Sequence, residues 1–142
     1  MTAQAKSAAP ATQDLSGRRI LLVEDEFLIR LDIQTLLEDA GAEVVDADTV
    51  ASGLEMAGGP FDAAVLDVRL PDGEVFPIAE TLAARDVPIV FHSAHVRPDD
   101  LMDRFPHALT VPKPCATDAI TSALTRMLAM RGGAAPTVVA RG

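Results

Sequence analysis

The sequence has few of the features that indicate a secreted, membrane-spanning or disulfide-stabilised protein. Its 142 residues include one cysteine, Cys115, so an intramolecular disulfide is excluded. No apolar run reaches the roughly 18 residues that a membrane-spanning helix requires. Residues 1–17 lack the apolar segment of a signal peptide. These absences predict a soluble, cytoplasmic protein with no membrane anchor.

Positive charge is also scarce. The chain has 12 Lys and Arg against 21 Asp and Glu, which gives a formal net charge of -9, and the basic residues are not clustered. A chain with this balance is repelled by a phosphate backbone. We therefore expect no direct binding to nucleic acid.

Hydrophobic residues make up 49% of the 142 residues, which is enough for one core and one domain. Both ends have the composition of flexible tails. Residues 1–17 are small and polar, and residues 132–142 begin with two glycines and show no periodicity. The predicted domain therefore spans residues 18–131.

Strands and helices alternate along this domain. Residues 19–24 form a nearly continuous apolar run, as in a strand buried on both faces. Apolar residues at helical spacing then lead up to Gly41, where a helix would end: Ile29, Ile33, Leu36, Leu37 and Ala40. Further strands are predicted at residues 42–47, 63–67, 88–93 and 108–111, and further helices at 50–57, 77–85, 99–104 and 117–130. Five strands alternating with five helices predict an α/β fold, a doubly wound parallel sheet of the flavodoxin-like kind.

Polar residues follow four of the predicted strands, and the carboxyl ends of such strands converge on one crevice. The first strand ends in Glu24, Asp25 and Glu26, the third in Asp67 and the fourth in Ser93, and the fifth runs into Lys113. Together they fit phosphoryl transfer to a carboxylate. Asp67 is the predicted phosphoacceptor, Lys113 would neutralise the phosphoryl oxygens, and the Ser93 hydroxyl would donate a hydrogen bond to one of them.

Three carboxylates in one crevice need a cation, and a set of oxygen ligands alone favours Mg²⁺. Asp25 and Asp67 are the predicted direct ligands, and Glu24 would hold the ion through a water. The backbone carbonyl of Arg69, two residues past the nucleophile, would be the last ligand that the protein supplies to the ion.

Four blocks of the sequence resemble those of response-regulator receiver domains. They are residues 22–26 (LVEDE), 65–73 (VLDVRLPDG), 93–94 (SA) and 112–114 (PKP). The resemblance implies sheet order 2-1-3-4-5, Mg²⁺-dependent phosphorylation of Asp67 by a histidine kinase or histidine phosphotransfer protein, and a cis peptide before Pro114. Because a single receiver domain with no attached output domain is expected, output is expected through contact with a downstream protein partner. Homodimer formation is left open.

A narrower resemblance is to stand-alone alphaproteobacterial receivers with a Phe-Ala-Thr-Gly signature in strand four, which here reads Phe91-His92-Ser93-Ala94. Those proteins tend to act in phosphorelays. The aromatic switch residue of many receivers is replaced by Thr110, so we expect a different readout of phosphorylation. By the same resemblance, Arg69 and His95 occupy positions that influence dephosphorylation.

Other functions are less well supported. A phosphohydrolase of the haloacid-dehalogenase type needs a second acid where Arg69 stands. An inert pseudo-receiver would lack at least one residue that phosphorylation requires, whereas none is missing here. His92 and His95 lack the pattern of a zinc site, and Cys115 is expected to pack rather than react. No enzymatic turnover is predicted beyond self-phosphorylation and autodephosphorylation.

Overall fold

The computed structural model describes residues 14–94, 98–115 and 118–141, with the side chains of residues 98–99 and 131–141 outside that description. In chain order, the elements are β1 (Arg19–Val23), α1 (Phe27–Asp39), β2 (Glu43–Ala47), α2 (Val50–Ala57), β3 (Ala63–Leu66), β4 (Arg69–Leu70), β5 (Gly73–Glu74), α3 (Phe76–Ala84), β6 (Ile89–Ser93), α4 (Pro98–Arg104), β7 (Leu109–Pro112) and α5 (Ala119–Arg141).

Five of the strands form one parallel sheet in the order β2-β1-β3-β6-β7. The predicted order 2-1-3-4-5 is therefore confirmed, because β6 and β7 are the fourth and fifth predicted strands. The antiparallel pair β4-β5 was not predicted. Two residues in each strand are too few to show a period of two.

The central strands supply both cores, since successive side chains of a strand point to opposite faces. In β1, Leu21 and Val23 face a cluster that includes Ile78 of α3, whereas Ile20 and Leu22 face a cluster that includes residues of α1 and α5. The sheet is thus covered on both faces. This burial explains why β1 has an unbroken apolar sequence instead of an alternating one.

Helix α1 ends where the sequence predicts. Gly41 has φ 101°, and its amide donates to the carbonyl of Glu38 at 2.9 Å. A Cβ at this position would lie 2.7 Å from the Ser16 hydroxyl oxygen. Both the left-handed backbone and the close approach of Ser16 therefore favour glycine here.

The ends of the domain differ from the predicted boundaries. Leu15 belongs to the predicted N-terminal tail, yet it is 1% exposed and its amide donates to the carbonyl of Ala40 at 2.8 Å. Helix α5 continues to Arg141, past the predicted end at Met130. Glycine disfavours a helix interior by only about 1 kcal/mol, so Gly132 and Gly133 do not by themselves force the helix to end.

Among the described residues, no helix is both long enough and apolar enough to span a membrane.

The burial of Leu15 predicts a measurable contribution to stability. We expect Leu15→Ala to lower the free energy of unfolding by about 2–4 kcal/mol, because it leaves a cavity against the sheet. Leu28→Ala removes the same atoms from a side chain that is 75% exposed, so its cost should stay under about 0.5 kcal/mol. Urea unfolding followed by circular dichroism measures both. Equal costs would contradict the assignment of Leu15 to the core.

Candidate functional site

The predicted site residues meet at the carboxyl edge of the sheet. Glu24 and Asp25 directly follow β1, Asp67 follows β3, Ser93 ends β6 and Lys113 follows β7. Because β1 lies between β2 and β3, the connections from β1 and β3 leave the sheet on opposite faces. This is the crevice where parallel α/β sheets bind their ligands.

Three carboxylates form the floor and rim of this crevice. One ligand oxygen from each of Glu24, Asp25 and Asp67 lies within 4.8 Å of the others. Glu24 is 1% exposed and Asp67 is 7% exposed, whereas Asp25 is exposed to solvent. Buried carboxylates so close together need positive charge beside them.

Lys113 supplies that charge within the protein. Its Nζ lies 2.9 Å from Glu24 Oε1, 3.2 Å from Asp67 Oδ2 and 3.6 Å from Glu26 Oε1. The backbone amide of Lys113 donates to the carbonyl of Ser93 at 3.2 Å, which ties the lysine to the end of β6. The peptide between Lys113 and Pro114 is cis, as the receiver resemblance implied.

The ionisation of Glu24 and Lys113 reflects this crowding. Burial raises the pKa of Glu24 to about 7, and the hydrogen bond from Lys113 only partly offsets it, while the charge of Asp67 adds to it. Burial on its own would lower the pKa of Lys113, but the hydrogen bond and charge of Glu24, together with Asp67, outweigh it and raise that pKa. The lysine is therefore held as a cation, while Glu24 ionises with difficulty.

Glu26 is a site residue that sequence reasoning left without a role. Its carboxylate approaches Lys113, and its amide donates to Glu24 Oε2 at 3.1 Å. A carboxylate directly after two candidate ligands is a signal that could have indicated the contact with the lysine.

The loop that carries Asp67 is anchored at several points. The amide of Asp67 donates to the carbonyl of Val23 at 2.9 Å. Further along the loop, the Asp72 carboxylate accepts hydrogen bonds from the amides of Val50 at 2.7 Å and Ala51 at 3.0 Å, at the start of α2. These bonds, first that of Val50 and then that of Ala51, lower the pKa of Asp72. Asp72 therefore joins the loop to a neighbouring helix.

The remaining predicted residues differ in burial and in position within the fold. Ser93 is 4% exposed at the end of β6. Arg69 is exposed and pairs with Glu74 in the short hairpin. Thr110 is half-buried in β7 opposite Phe91. His95 lies outside the described residues, so its predicted influence on dephosphorylation stays a prediction.

His92 lies in a packed environment. It is 5% exposed, and its Nε2 lies 3.5 Å from the sulfur of Cys115. Burial, followed by the charge of Lys113, lowers the pKa of His92 to about 4, so the imidazole is neutral at neutral pH. Burial also raises the pKa of the Cys115 thiol, which agrees with a packing role and disfavours a reactive thiolate.

The profile of the response regulator receiver domain family matches residues 20–125, which include every site residue named above. The chain belongs to the response regulator receiver domain family. Its parallel sheet, with five strands in the order that receivers share, agrees with this assignment.

Individual relatives show the same relationship. The chain is 30% identical over 123 residues to the sensor protein TorS of Escherichia coli K12, an alignment that covers 82% of this chain and 14% of TorS. It spans less than half the length of the curated relatives that it matches.

Two solved structures resemble the receiver over most of their length. A response regulator receiver protein from Sinorhizobium medicae WSM419 has a TM-score of 0.75 and 27% identity, with 83% of this chain and 99% of that chain covered. SdrG from Sphingomonas melonis Fr1 has a TM-score of 0.62 and 40% identity, with coverages of 78% and 96%.

The raised pKa of Glu24 predicts a pH-dependent stability difference. The folded receiver binds the Glu24 proton more tightly than the unfolded chain, so ionisation of Glu24 costs stability as the pH rises from about 4.5 through about 7. Glu24→Gln imitates the neutral form. The stability of this variant relative to the natural receiver should grow by on the order of 1 kcal/mol between low pH and pH ~8.

Urea unfolding of both proteins across this pH range measures the difference. Glu55→Gln, an exposed glutamate on α2, is the matched control and should give a difference that is flat with pH. A flat difference for Glu24→Gln as well would show that the buried carboxylate is not strained by ionisation.

Proposed function

We propose that this receiver accepts a phosphoryl group on Asp67, with Mg²⁺, from a histidine kinase or histidine phosphotransfer protein, and then signals through contact with a downstream protein. The observation that carries this proposal is the placement of the Lys113 ammonium between two buried carboxylates, 3.2 Å from Asp67 Oδ2. A lysine in that position can neutralise the oxygens of an incoming phosphoryl group.

The donor set fits Mg²⁺. Three carboxylates, two of them buried, share one crevice in which Lys113 is the neighbouring cation, and Mg²⁺ binds through one or two carboxylates, waters and phosphate oxygens. Asp25 and Asp67 would hold the ion directly, Glu24 through a water, and the carbonyl of Arg69 would add a fourth oxygen. The bound cation would neutralise phosphoryl oxygens and reduce their repulsion of Asp67.

The residues of the receiver would then carry out an in-line displacement. A carboxylate oxygen of Asp67 bonds to phosphorus while the bond from phosphorus to the histidine nitrogen breaks, and the nitrogen keeps the electron pair of that bond. Lys113 turns towards the new phosphoryl group and neutralises one oxygen, and the Ser93 hydroxyl donates to another. Water later attacks phosphorus to release phosphate and restore the Asp67 carboxylate.

Two other readings have less support. A haloacid-dehalogenase-type phosphohydrolase would need a general acid two residues after the nucleophile, where this chain has Arg69, an exposed cation. A pseudo-receiver used as a scaffold would have no reason to retain both a buried acid cluster and the buried lysine that compensates it. We therefore propose no enzymatic turnover beyond phosphorylation and dephosphorylation of Asp67 itself.

Phosphorylation by a small donor tests the proposal. Incubation with acetyl phosphate and Mg²⁺ should add the mass of one phosphoryl group to the natural receiver, and Asp67→Asn should abolish this gain. Asp39→Asn, an exposed aspartate at the end of α1, is the matched control and should be phosphorylated normally. Intact-protein mass spectrometry measures all three.

Two results would contradict the proposal. The first is an adduct of equal yield in Asp67→Asn, which would place the modification elsewhere. The second is the absence of any adduct from small donors and from every histidine kinase and phosphotransfer protein of the source organism, which would support the scaffold reading.

The structure also shows an exposed apolar surface beside the acid loop, which sequence reasoning missed. Phe27 is 62% exposed, Leu28 is 75% exposed and Leu31 is 47% exposed. We call these three residues the α1 patch. They lie on the first turns of α1, next to Asp25, so a protein that brings a phosphohistidine to Asp67 would pass over them. We propose that the phosphodonor protein packs on the α1 patch, since isolated exposed apolar residues are common but adjacent ones mark contact surfaces.

A charge on the α1 patch should separate the two kinds of donor. We expect Leu28→Glu to slow phosphotransfer from the cognate protein at least about tenfold, the loss of one hot-spot contact, while the rate with acetyl phosphate stays unchanged. Met102→Glu places the same charge on α4, at a methionine that is 50% exposed, and serves as the control. Equal slowing with acetyl phosphate would point to damage at the reaction centre.

The cytoplasmic location, the role in a phosphorelay and the readout that replaces an aromatic at Thr110 stay predictions from the sequence.

A further inference from the structure

We propose that Arg30 is a positioning residue for the Mg²⁺ site, which fixes the peptide between Glu24 and Asp25 so that the Asp25 carboxylate points at the cation. The inference rests on the proposed function, because it assumes that Asp25 and its neighbours bind Mg²⁺. It adds a residue of α1 that touches neither the ion nor the phosphoryl group.

Asp25 needs support from its backbone. It is the exposed member of the acid cluster, and within residues 14–94, 98–115 and 118–141 its carboxylate has no hydrogen bond or ion pair. Glu24, by contrast, is held by Lys113 and by the amide of Glu26. The direction of the Asp25 side chain therefore depends on the orientation of the peptide that precedes it.

Arg30 lies beside the peptide between Glu24 and Asp25 and makes three contacts there. Its Nη1 donates to the carbonyl oxygen of Glu24 at 2.7 Å, and its Nε lies 3.2 Å from Asp46 Oδ2 on β2. Its guanidinium also lies 5.6 Å from the centre of the Phe27 ring. The Arg30 side chain is only 16% exposed, whereas the Asp46 side chain is 43% exposed, so the hydrogen bond to the Glu24 carbonyl is the better shielded of the two polar contacts.

The link from Arg30 to Asp25 is the planarity of the peptide bond. The carbonyl oxygen of Glu24 and the amide nitrogen of Asp25 belong to one rigid plane. A donor that holds the oxygen therefore fixes the direction of the next Cα as well. On its other side, Glu24 is already held, because its amide donates to the carbonyl of Ala47 at 3.0 Å.

Arginine is suited to this task and lysine is not. The guanidinium fork reaches a carbonyl and a carboxylate at the same time in one plane, whereas an ammonium is a single point charge. Asp46 keeps the fork in place from the β2 side. Arg30→Lys therefore keeps the positive charge near the acid cluster and removes the geometry.

The alternative is that Arg30 only fastens α1 to β2. The chain contains a matched arginine for this case at the opposite end of β1. Arg19 places Nε 3.3 Å from Glu43 Oε2 on β2, donates from Nη1 to the carbonyl of Pro60 at 2.8 Å, and stacks 4.8 Å from the ring centre of Phe61. It makes the same kinds of contact far from the acids.

The experiment compares Arg30→Lys, Arg19→Lys and the natural receiver. Calorimetric titration of the unphosphorylated protein with Mg²⁺ gives Kd, and thermal unfolding gives the cost to the fold. We expect Arg30→Lys to weaken Mg²⁺ binding about tenfold, the size seen when a residue that orients metal ligands is lost, and Arg19→Lys to leave Kd unchanged at a similar loss of Tm.

A kinetic readout separates positioning from chemistry. With acetyl phosphate, Arg30→Lys should raise the half-saturating Mg²⁺ concentration about tenfold and leave the rate at saturating Mg²⁺ within about twofold. Asp46→Ala removes only the contact that holds the fork, so it should shift Kd in the same direction by about threefold. This variant decides the matter if Arg30→Lys fails to fold.

Each result has one meaning. An unchanged Kd in Arg30→Lys, or equal weakening in Arg19→Lys, overturns the positioning role and leaves the proposed function intact. A natural receiver that binds no Mg²⁺ overturns the proposed function itself. A selective change of Kd in Arg30→Lys and Asp46→Ala supports the inference.

Discussion

The ion pairs of Lys113 with Glu24 and Asp67 are the interaction on which the rest of the site depends. A parallel sheet brings the ends of its strands together, and here two of those ends carry buried carboxylates that repel each other. One ammonium, 2.9 Å from Glu24 Oε1 and 3.2 Å from Asp67 Oδ2, makes this arrangement tolerable. The compensation is incomplete, since burial still raises the pKa of Glu24 to about 7 despite the hydrogen bond from Lys113. The crevice is therefore left with a demand for positive charge, which the proposed Mg²⁺ would meet.

Much of the fold could be predicted because its signals are local. The unbroken apolar run of β1 is typical of a strand with both faces buried, and that strand lies between β2 and β3 in the sheet. Gly41 marks the end of α1 through a backbone angle that other residues adopt with strain. The residues at the strand ends could also be predicted to meet, because the topology of a parallel sheet brings Glu24, Asp67 and Lys113 to one edge.

The features that could not be predicted depend on contacts between distant parts of the chain. Leu15 looks like part of a polar tail, and only the packing of α1 against the sheet creates the space that it fills. Arg30 has the pattern of an ordinary charged helix residue, and its contact with the carbonyl of Glu24 requires the actual path of the loop. The residues of the α1 patch lie outside the apolar pattern that predicts α1, and their exposure emerges only when the opposite face of the helix, with Ile33 and Leu37, is seen to fill the core.

The two hydrogen bonds from the start of α2 to Asp72 join the loop that carries Asp67 to a helix of the domain. Both oxygens of this carboxylate accept hydrogen bonds from amides that the helix cannot satisfy internally, so the loop that carries Asp67 is held against the first turn of α2. Gly53 of α2 lies so close to Ile78 of α3 that a single added Cβ would collide with it, so the helix that Asp72 joins to the loop packs directly against α3.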